Sequence, residues 1–149
     1  MKLLFISVGK KHDTAVAEGI TEFTSRISLY APVEWKLIPS NDSKDKEGQS
    51  ILNALDQRDF VVLLDERGTE LSSEELSEFI GARLNASTHR LVFIIGGAYG
   101  VSESVEERAN VTIALSKLVF PHQLVRLILA EQVYRAFTIL KGEKYHHAS

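Results

Sequence analysis

Two polar side chains near the start of the last predicted helix are the clearest candidates for chemistry. His122 and Arg126 are four residues apart, so they lie one turn apart on the same helix face. An imidazole beside a guanidinium can hold a phosphate or stabilise an anion that forms during a reaction. Spacing alone slightly favours a structural arrangement, in which Arg126 pairs with a carboxylate and His122 is an ordinary first-turn residue.

A glycine-rich segment follows one of the most apolar runs of the chain. Leu91–Ile95 leads directly into Gly96-Gly97-Ala98-Tyr99-Gly100. Glycine at the end of a buried strand lets the backbone approach a ligand, at the sheet edge where α/β proteins bind ligands. The segment lacks the Gly-Lys-Ser/Thr of a phosphate-binding loop, and it does not follow the first strand, where a dinucleotide fingerprint is expected. A merely structural turn is the alternative.

Other reactive groups are few. The chain has no cysteine, which excludes disulfides, thiolate metal sites and cysteine nucleophiles. His146 and His147 are adjacent but have no third ligand at a suitable spacing, so no metal is expected. Glu131 and Arg135 have the spacing of an ion pair on a helix surface, and we interpret them as structural.

Charge is distributed unevenly along this mildly acidic chain. The formal net charge is −3, which argues against a protein that grips nucleic acid through bulk positive charge. From Val111 onward the chain is +3 and the remainder is −6, and three of the five histidines lie in this C-terminal part. An anionic partner is therefore expected to meet the C-terminal quarter, unless the basic residues only complement the end of a helix.

Short apolar runs bounded by polar residues or glycine predict five strands. Phe60–Leu64 and Leu91–Ile95 are apolar on both faces, as expected of central strands in a parallel sheet. Val33–Ile38 alternates, which places it nearer an edge. The other two strands are Lys2–Val8 and Val111–Leu115. Helical patterns between the strands indicate an α/β fold with a mostly parallel sheet flanked by helices.

Capping signals indicate where several helices begin. Ser72 with Glu75 has the pattern of a capping box. Residues 40–48 read as a polar surface loop that leads into another helix. Further helix starts are expected at Asp13 or Thr14, and at Ser102 or Ser104.

The last predicted helix is too apolar for a surface helix. It begins at Pro121, which suits the first helical position, and stops at Gly142, giving about 20 residues or roughly 30 Å. Apolar residues cover most of its circumference, so it must pack against the sheet and against something else. A second subunit is the simplest candidate for this additional packing partner. A polar tail, residues 143–149, follows the helix.

Length and composition are those of an ordinary globular protein. The 149 residues fit one domain that can bury its own core, and 44% are hydrophobic against 25% charged. No apolar run reaches the roughly 18 residues of a membrane span, and the apolar start lacks the flanks of a signal peptide. We therefore expect a single domain, residues 1–149, in the cytoplasm.

Three segments of the chain form a specific signature. The sharpest is Leu115–Arg126, LSKLVFPHQLVR, which continues into Glu131–Phe137, EQVYRAF. The third is Phe93-Ile94-Ile95-Gly96-Gly97. Together with the start of the chain and the C-terminal Tyr145-His146-His147, they resemble the ribosomal RNA large subunit methyltransferase H family, within the SPOUT class of methyltransferases. The resemblance covers the whole chain, and a chance match over such a length is implausible.

The resemblance implies a fold and a cofactor. The fold is the SPOUT-type α/β knot, in which the C-terminal segment threads through a loop, and the long C-terminal helix lies at a homodimer interface. The cofactor is S-adenosylmethionine, held in the knot. The implied cofactor-binding residues are Leu64, Gly96, Leu115, Ser116, Lys117, Leu118, Val119 and Phe120.

The implied reaction is methylation of N3 of a pseudouridine in the helix 69 loop of 23S ribosomal RNA, on the assembled 70S ribosome. Because the methyl group is already activated, the protein has to align the nucleophile and help the N3 imide lose its proton. The tail is expected to close over the pocket, from its own subunit or from the partner. The expected catalytic residues are His122, Arg126, Tyr145 and His147.

Two departures from the family pattern bear on these expectations. Residues 40–48 form a shorter segment than in many relatives, and Val119 stands where a threonine is common. If the threonine hydroxyl contacts the cofactor, binding is weaker in this chain. Two other functions remain open: a non-catalytic module that binds a nucleotide or S-adenosylmethionine as a regulator, and an enzyme of the same fold that acts on transfer RNA.

Overall fold

The structure is a computed structural model and describes residues 1–147. Strands and helices alternate throughout these residues. The elements are β1 (Lys2–Val8), α1 (Thr14–Ile27), β2 (Val33–Ile38), α2 (Lys44–Asn53), β3 (Asp59–Glu70), α3 (Ser73–Asn85), β4 (Arg90–Ile95), α4 (Glu103–Arg108), β5 (Val111–Ala114) and α5 (His122–Leu140).

The five strands form one parallel sheet in the order β2-β1-β4-β3-β5. The apolar strand β4 lies at the centre and β3 beside it, while the alternating strand β2 lies at an edge. The predicted α/β fold with a parallel sheet is confirmed, and so are the central and edge positions. Because all strands run the same way, the segments that follow β3, β4 and β5 meet at one edge of the sheet.

Helices cover both faces of the sheet. One face packs against α1, α3 and α5, with Phe5 and Phe93 at the centre of the buried cluster. The other face packs against α2 and α4, around Ile6 and Ile94. A strand residue and its neighbour therefore contribute to different cores, which explains the uninterrupted apolar sequence of β4.

Two predicted boundaries are wrong by several residues. Strand β3 runs on to Glu70, beyond the predicted end at Leu64, because its polar second half pairs with β5 after a shift of register between Leu64 and Thr69. Gly68 permits this pairing, since a Cβ there would lie 2.7 Å from the backbone of Thr112. Helix α2 begins inside the predicted loop 40–48, because the Ser43 hydroxyl accepts a hydrogen bond from the Lys46 N–H and caps the helix.

Helix ends follow the sequence signals closely. The capping box of Ser72 and Glu75 is confirmed, with both reciprocal hydrogen bonds present. Helix α5 begins one residue later than predicted, because Pro121 has extended backbone angles and serves as the N-cap. The helix ends at Leu140, and Gly142 adopts a φ of 68° that favours glycine. None of the helices within residues 1–147 is long and apolar enough to cross a membrane.

Helix α5 has most of its fully buried residues on one side. It packs on α1 and α3, where Leu129, Val133 and Phe137 are buried. Leu124 and Leu140 are 37% and 38% exposed. The helix therefore packs against the sheet as predicted, and part of its apolar surface remains exposed.

Candidate active site

A cavity of about 1000 Å³ opens at the carboxyl edge of the sheet. Three segments contribute most of its lining: residues 63–67 in β3, residues 95–101 at and after the end of β4, and residues between 115 and 121 after β5, together with the first turn of α5. Its size is at the upper end of the range for small-molecule sites in proteins, and its position is the one at which open α/β sheets bind ligands.

Most residues that were expected to hold a cofactor lie together in this cavity. The lining residues that were predicted are Leu64, Gly96, Leu115, Ser116, Leu118, Val119 and Phe120. Lys117 is not among the lining residues: its side chain is 88% exposed and its Nζ lies 3.8 Å from a carboxylate oxygen of Glu70. The Ser116 hydroxyl accepts a hydrogen bond from the Leu118 N–H at 3.0 Å, which shapes the loop.

Gly96 is required by the loop that follows β4. A Cβ at this position would lie 2.8 Å from a methyl of Val101 and 3.1 Å from the Gly100 carbonyl carbon, so any side chain would push the loop apart. The Gly100 N–H donates to the Gly97 carbonyl at 3.0 Å, and Gly100 has a φ of 84°. The glycines thus let this loop turn back on itself at the rim of the cavity.

Arg126 does not line the cavity. Its side chain is completely buried, and its guanidinium binds the loop between β1 and α1. Nε donates to the Ser7 hydroxyl at 2.7 Å, Nη1 to the Lys11 carbonyl at 2.8 Å, and Nη2 to the Val8 carbonyl at 2.9 Å and the Gly9 carbonyl at 3.2 Å. None of these hydrogen-bond partners is a carboxylate; neutral dipoles surround the buried positive charge, and the nearby Asp13 carboxylate favours it from a distance.

Glycine at position 9 allows the Arg126 guanidinium to lie close to the backbone of the β1–α1 loop. A Cβ on Gly9 would lie 2.9 Å from Nη2 of Arg126, and the residue has a φ of 120°. Gln123, on the same helix turn, accepts from the Asp13 N–H at 2.9 Å and donates to the Lys11 carbonyl at 3.2 Å. The first turn of α5 therefore holds the β1–α1 loop in a single conformation.

His122 is the predicted catalytic residue that does line the cavity. Burial lowers the pKa of its imidazole below the ordinary 6.5, and the positive charge of Arg126 lowers it further. The pKa of His12 is lowered for the same two reasons. Nη1 of Arg126 lies 3.1 Å from His12 Nδ1, and since a guanidinium only donates, that nitrogen must be unprotonated. Both imidazoles are therefore neutral at pH 7.

The C-terminal tail lies away from the cavity of its own chain. The Tyr145 hydroxyl donates to a Glu131 carboxylate oxygen at 2.8 Å, and its ring packs on Tyr134 at 4.7 Å. Glu131 is about 9 Å further along α5 than Val125, the last residue of the helix that lines the cavity. His147 is exposed, and neither it nor Tyr145 lines the cavity.

Neighbouring side chains fix the tail in this place. Arg135 and Glu131 form the predicted helix ion pair, at 2.6 Å, and the Arg135 guanidinium also stacks on the Tyr145 ring. His146 lies between Arg135 and Glu74, with its Nε2 2.5 Å from the Glu74 carboxylate. The pair that we interpreted as structural thus also forms the docking surface for the tail.

Charged residues at the mouth of the cavity were missed by sequence reasoning. Asp65 follows the predicted strand end directly, and Arg67 binds its carboxylate through Nε and Nη2, both at 2.9 Å. These hydrogen bonds lower the pKa of Asp65. Arg67 also reaches Glu106 on α4 at 3.4 Å. The sequence signal that could have found these charged residues is the polar run directly after the apolar strand residues, at the sheet edge where ligands bind.

Comparisons with known proteins show the family to which the chain is similar. A family model described as "Predicted SPOUT methyltransferase" matches residues 1–146. Three relatives carry the name ribosomal RNA large subunit methyltransferase H. The one from Christiangramia forsetii is 45% identical over 99% of both chains. Those from Cytophaga hutchinsonii and Geotalea daltonii are 44% and 43% identical, over 99% of this chain and 100% of their own. The similarity includes every loop that lines the cavity.

Proposed function

Because this chain belongs to the SPOUT methyltransferase family, within the ribosomal RNA large subunit methyltransferase H group, we propose that it methylates large-subunit ribosomal RNA. The proposed product is N3-methylpseudouridine in the helix 69 loop of 23S ribosomal RNA, made on the assembled 70S ribosome in the cytoplasm. The observation that carries the proposal is the cavity, which unites seven of the eight expected cofactor-binding residues with His122.

The residues of the cavity fit S-adenosylmethionine. Apolar side chains such as Leu64, Leu115 and Phe120 suit an adenine ring and a thioether chain, and the loop backbones offer N–H and carbonyl groups. Position 119 carries no hydroxyl, so we propose that the backbone there is sufficient for binding. When bound, S-adenosylmethionine supplies a methyl group that its positive sulfur has already activated.

The protein's own part of the reaction is to remove the N3 proton and hold the base in line. We assign the proton to His122, because it lines the cavity and its imidazole is neutral at pH 7. Arg126 acts on the reaction through two routes: it fixes the β1–α1 loop, and its charge keeps His122 unprotonated. It is a positioning residue in this proposal.

A second copy of the chain completes the site. Tyr145 and His147 are part of the proposed machinery, yet the tail of a single chain is docked on α5 away from its own cavity. We propose a homodimer, joined through the apolar surface of α5 around the exposed Leu124, in which each tail reaches the partner's cavity. The proposal also includes the knot, in which the C-terminal segment threads through a loop.

Transfer of labelled methyl from S-adenosylmethionine tests the proposal. The acceptors are assembled ribosomes, free 23S ribosomal RNA and transfer RNA, all from cells that lack this protein. Label on assembled ribosomes alone, at N3 of the pseudouridine, is the expected result. Label on transfer RNA would overturn the substrate. Cofactor binding without transfer to correctly pseudouridylated ribosomes would overturn the enzyme and favour a regulator.

A further inference from the structure

Exposed apolar side chains gather at the mouth of the cavity. Within residues 1–147, four large hydrophobic side chains are more than 70% exposed, and three of them, Tyr99, Leu118 and Val119, line this one cavity. We call these three residues the apolar rim. Scattered apolar residues on a surface need no explanation, but a cluster around a cavity marks a place where a ligand excludes water.

Tyr99 is the most exposed member of the rim, at 87%, and its ring is unlike the other tyrosine rings. Tyr30, Tyr134 and Tyr145 each pack against another aromatic ring. Among the described residues Tyr99 has no aromatic or cation partner, and its hydroxyl makes no hydrogen bond. Both faces of this ring are therefore available to a flat ligand.

The backbone holds Tyr99 in a defined position. It is the third residue of the turn Gly97–Gly100, which is closed by the hydrogen bond from the Gly100 N–H to the Gly97 carbonyl. Gly96 is packed against Val101 just before the turn, and Gly100 has a positive φ just after the ring. The closed turn thus fixes the backbone from which the ring projects, so binding of a ligand has to order only the side chain.

Charge at the mouth does not favour a phosphate. Lys44 and Arg67 line the cavity beside the acidic Asp65, Glu66 and Glu106, and Arg67 is already engaged by two of these carboxylates. The whole chain is also acidic, at −3. An RNA that reaches this cavity must therefore be held there by the faces of its bases more than by its backbone.

We propose that Tyr99 is a stacking platform for a nucleobase of the RNA substrate, turned out of its own stack toward the cavity. Leu118 and Val119 form the apolar wall beside it. The inference rests on the proposed function for the nature of the substrate, and it adds a recognition residue outside the cofactor-binding and catalytic sets. Enzymes that modify bases take them out of the stack and hold them against aromatic or apolar side chains, as this rim would.

Three variants of the full-length protein test the proposal. Tyr99→Ala removes the ring, Tyr99→Phe keeps the stacking face without the hydroxyl, and Leu29→Ala is the matched control, since Leu29 is 83% exposed outside the cavity. Three quantities are measured for each: the Kd for assembled ribosomes by co-sedimentation, the Kd for S-adenosylmethionine by calorimetry, and the mass in solution by light scattering.

Tyr99→Ala is expected to weaken ribosome binding by about 10-fold or more, from the size of base stacking on aromatic side chains. Tyr99→Phe and Leu29→Ala should bind ribosomes like the unmodified protein, and cofactor affinity and mass should be unchanged in all three. A parallel KM measurement should rise for Tyr99→Ala with little change in kcat.

Other outcomes overturn the assignment. Unchanged ribosome affinity in Tyr99→Ala excludes stacking, and an equal loss in Tyr99→Phe points to the hydroxyl instead. Reduced cofactor affinity would make Tyr99 a cofactor contact, and a changed mass would show that a second copy covers the rim. Because co-sedimentation measures binding only, a protein that binds ribosomes through Tyr99 but transfers no methyl would refute the proposed reaction and leave this inference standing.

Discussion

His122 faces the cavity with an imidazole that burial and the Arg126 charge keep neutral. A protonated imidazole cannot accept the N3 proton, so the proposed activity is lost as pH falls through the His122 pKa. Since that pKa is lowered, the acid limb of the kcat profile is expected below pH 6.5.

Replacing His122 tests its role as the base. His122→Gln should reduce kcat by about 100-fold or more, the usual contribution of a general base, with S-adenosylmethionine affinity nearly unchanged. His89→Gln is the control, because His89 is an exposed residue next to the opposite edge of the sheet. Single-turnover transfer to ribosomes across pH 5–8 measures both. A variant with normal kcat and an unaltered acid limb would contradict the assignment.

Arg126 is expected to contribute to stability and to the titration of His122. Arg126→Met leaves the buried Ser7 hydroxyl and the nearby carbonyls without their donor, so it should lower the free energy of unfolding by about 3 kcal/mol. Removing the charge should also raise the His122 pKa. Urea denaturation and NMR titration of the histidine ring measure the two effects.

Two further variants separate charge from geometry at this position. Arg126→Lys keeps the positive charge but loses the fork of donors, so it should lower stability while the His122 pKa stays low. Arg58→Met is the control, because Arg58 is exposed and, within residues 1–147, its side chain hydrogen-bonds only to the neighbouring Asp56. If Arg126→Met unfolds at the normal urea concentration, the guanidinium does not anchor the loop.

Helix α3 depends on a capping box that is visible in the sequence. Ser72→Ala removes the hydroxyl that accepts from the Glu75 N–H at 3.0 Å, which should lower the free energy of unfolding by about 1 kcal/mol. Ser50→Ala is the control, since Ser50 is an exposed residue inside α2. Equal urea midpoints for the two variants would show that the cap adds nothing to the stability of this fold.

Helix α5 serves three regions of the molecule at once. Its first turn binds the β1–α1 loop, its middle packs on α1 and α3, and Glu131 and Arg135 hold the tail. Few of its positions are therefore free to be polar, which accounts for its apolar sequence in part. The remaining apolar surface is the basis of the proposed dimer.

Dimer formation through α5 predicts a specific sensitivity to charge. Leu124→Glu should convert the protein to a monomer and abolish methyl transfer, because a buried carboxylate without a partner is strongly disfavoured and the partner's tail is lost. Leu84→Glu is the matched control, with 39% exposure on α3 against 37% for Leu124. Light scattering gives the mass of each. A Leu124→Glu protein of unchanged mass would exclude this face as the interface.

Local features of the molecule were determined by the sequence itself. Apolar runs predicted the strands, the alternation of Val33–Ile38 predicted an edge, and the Ser72 and Glu75 spacing predicted a helix start. These signals act between residues close in the chain, so periodicity and capping are enough to find them. The proposed role of the loop 115–120 as a cofactor site came from resemblance to a family, not from such patterns.

Long-range contacts were decided only by the tertiary structure. The acceptors of the Arg126 guanidinium lie 115 to 119 residues earlier in the chain. The spacing of Arg126 and His122 predicted that both side chains share one site, but the fold directs the Arg126 side chain to the β1–α1 loop. The second half of β3 is polar and became a strand only because β5 offers a partner beside Gly68. In both cases hydrogen bonds to backbone that is distant in sequence stabilise the arrangement, and no local sequence pattern reveals such bonds.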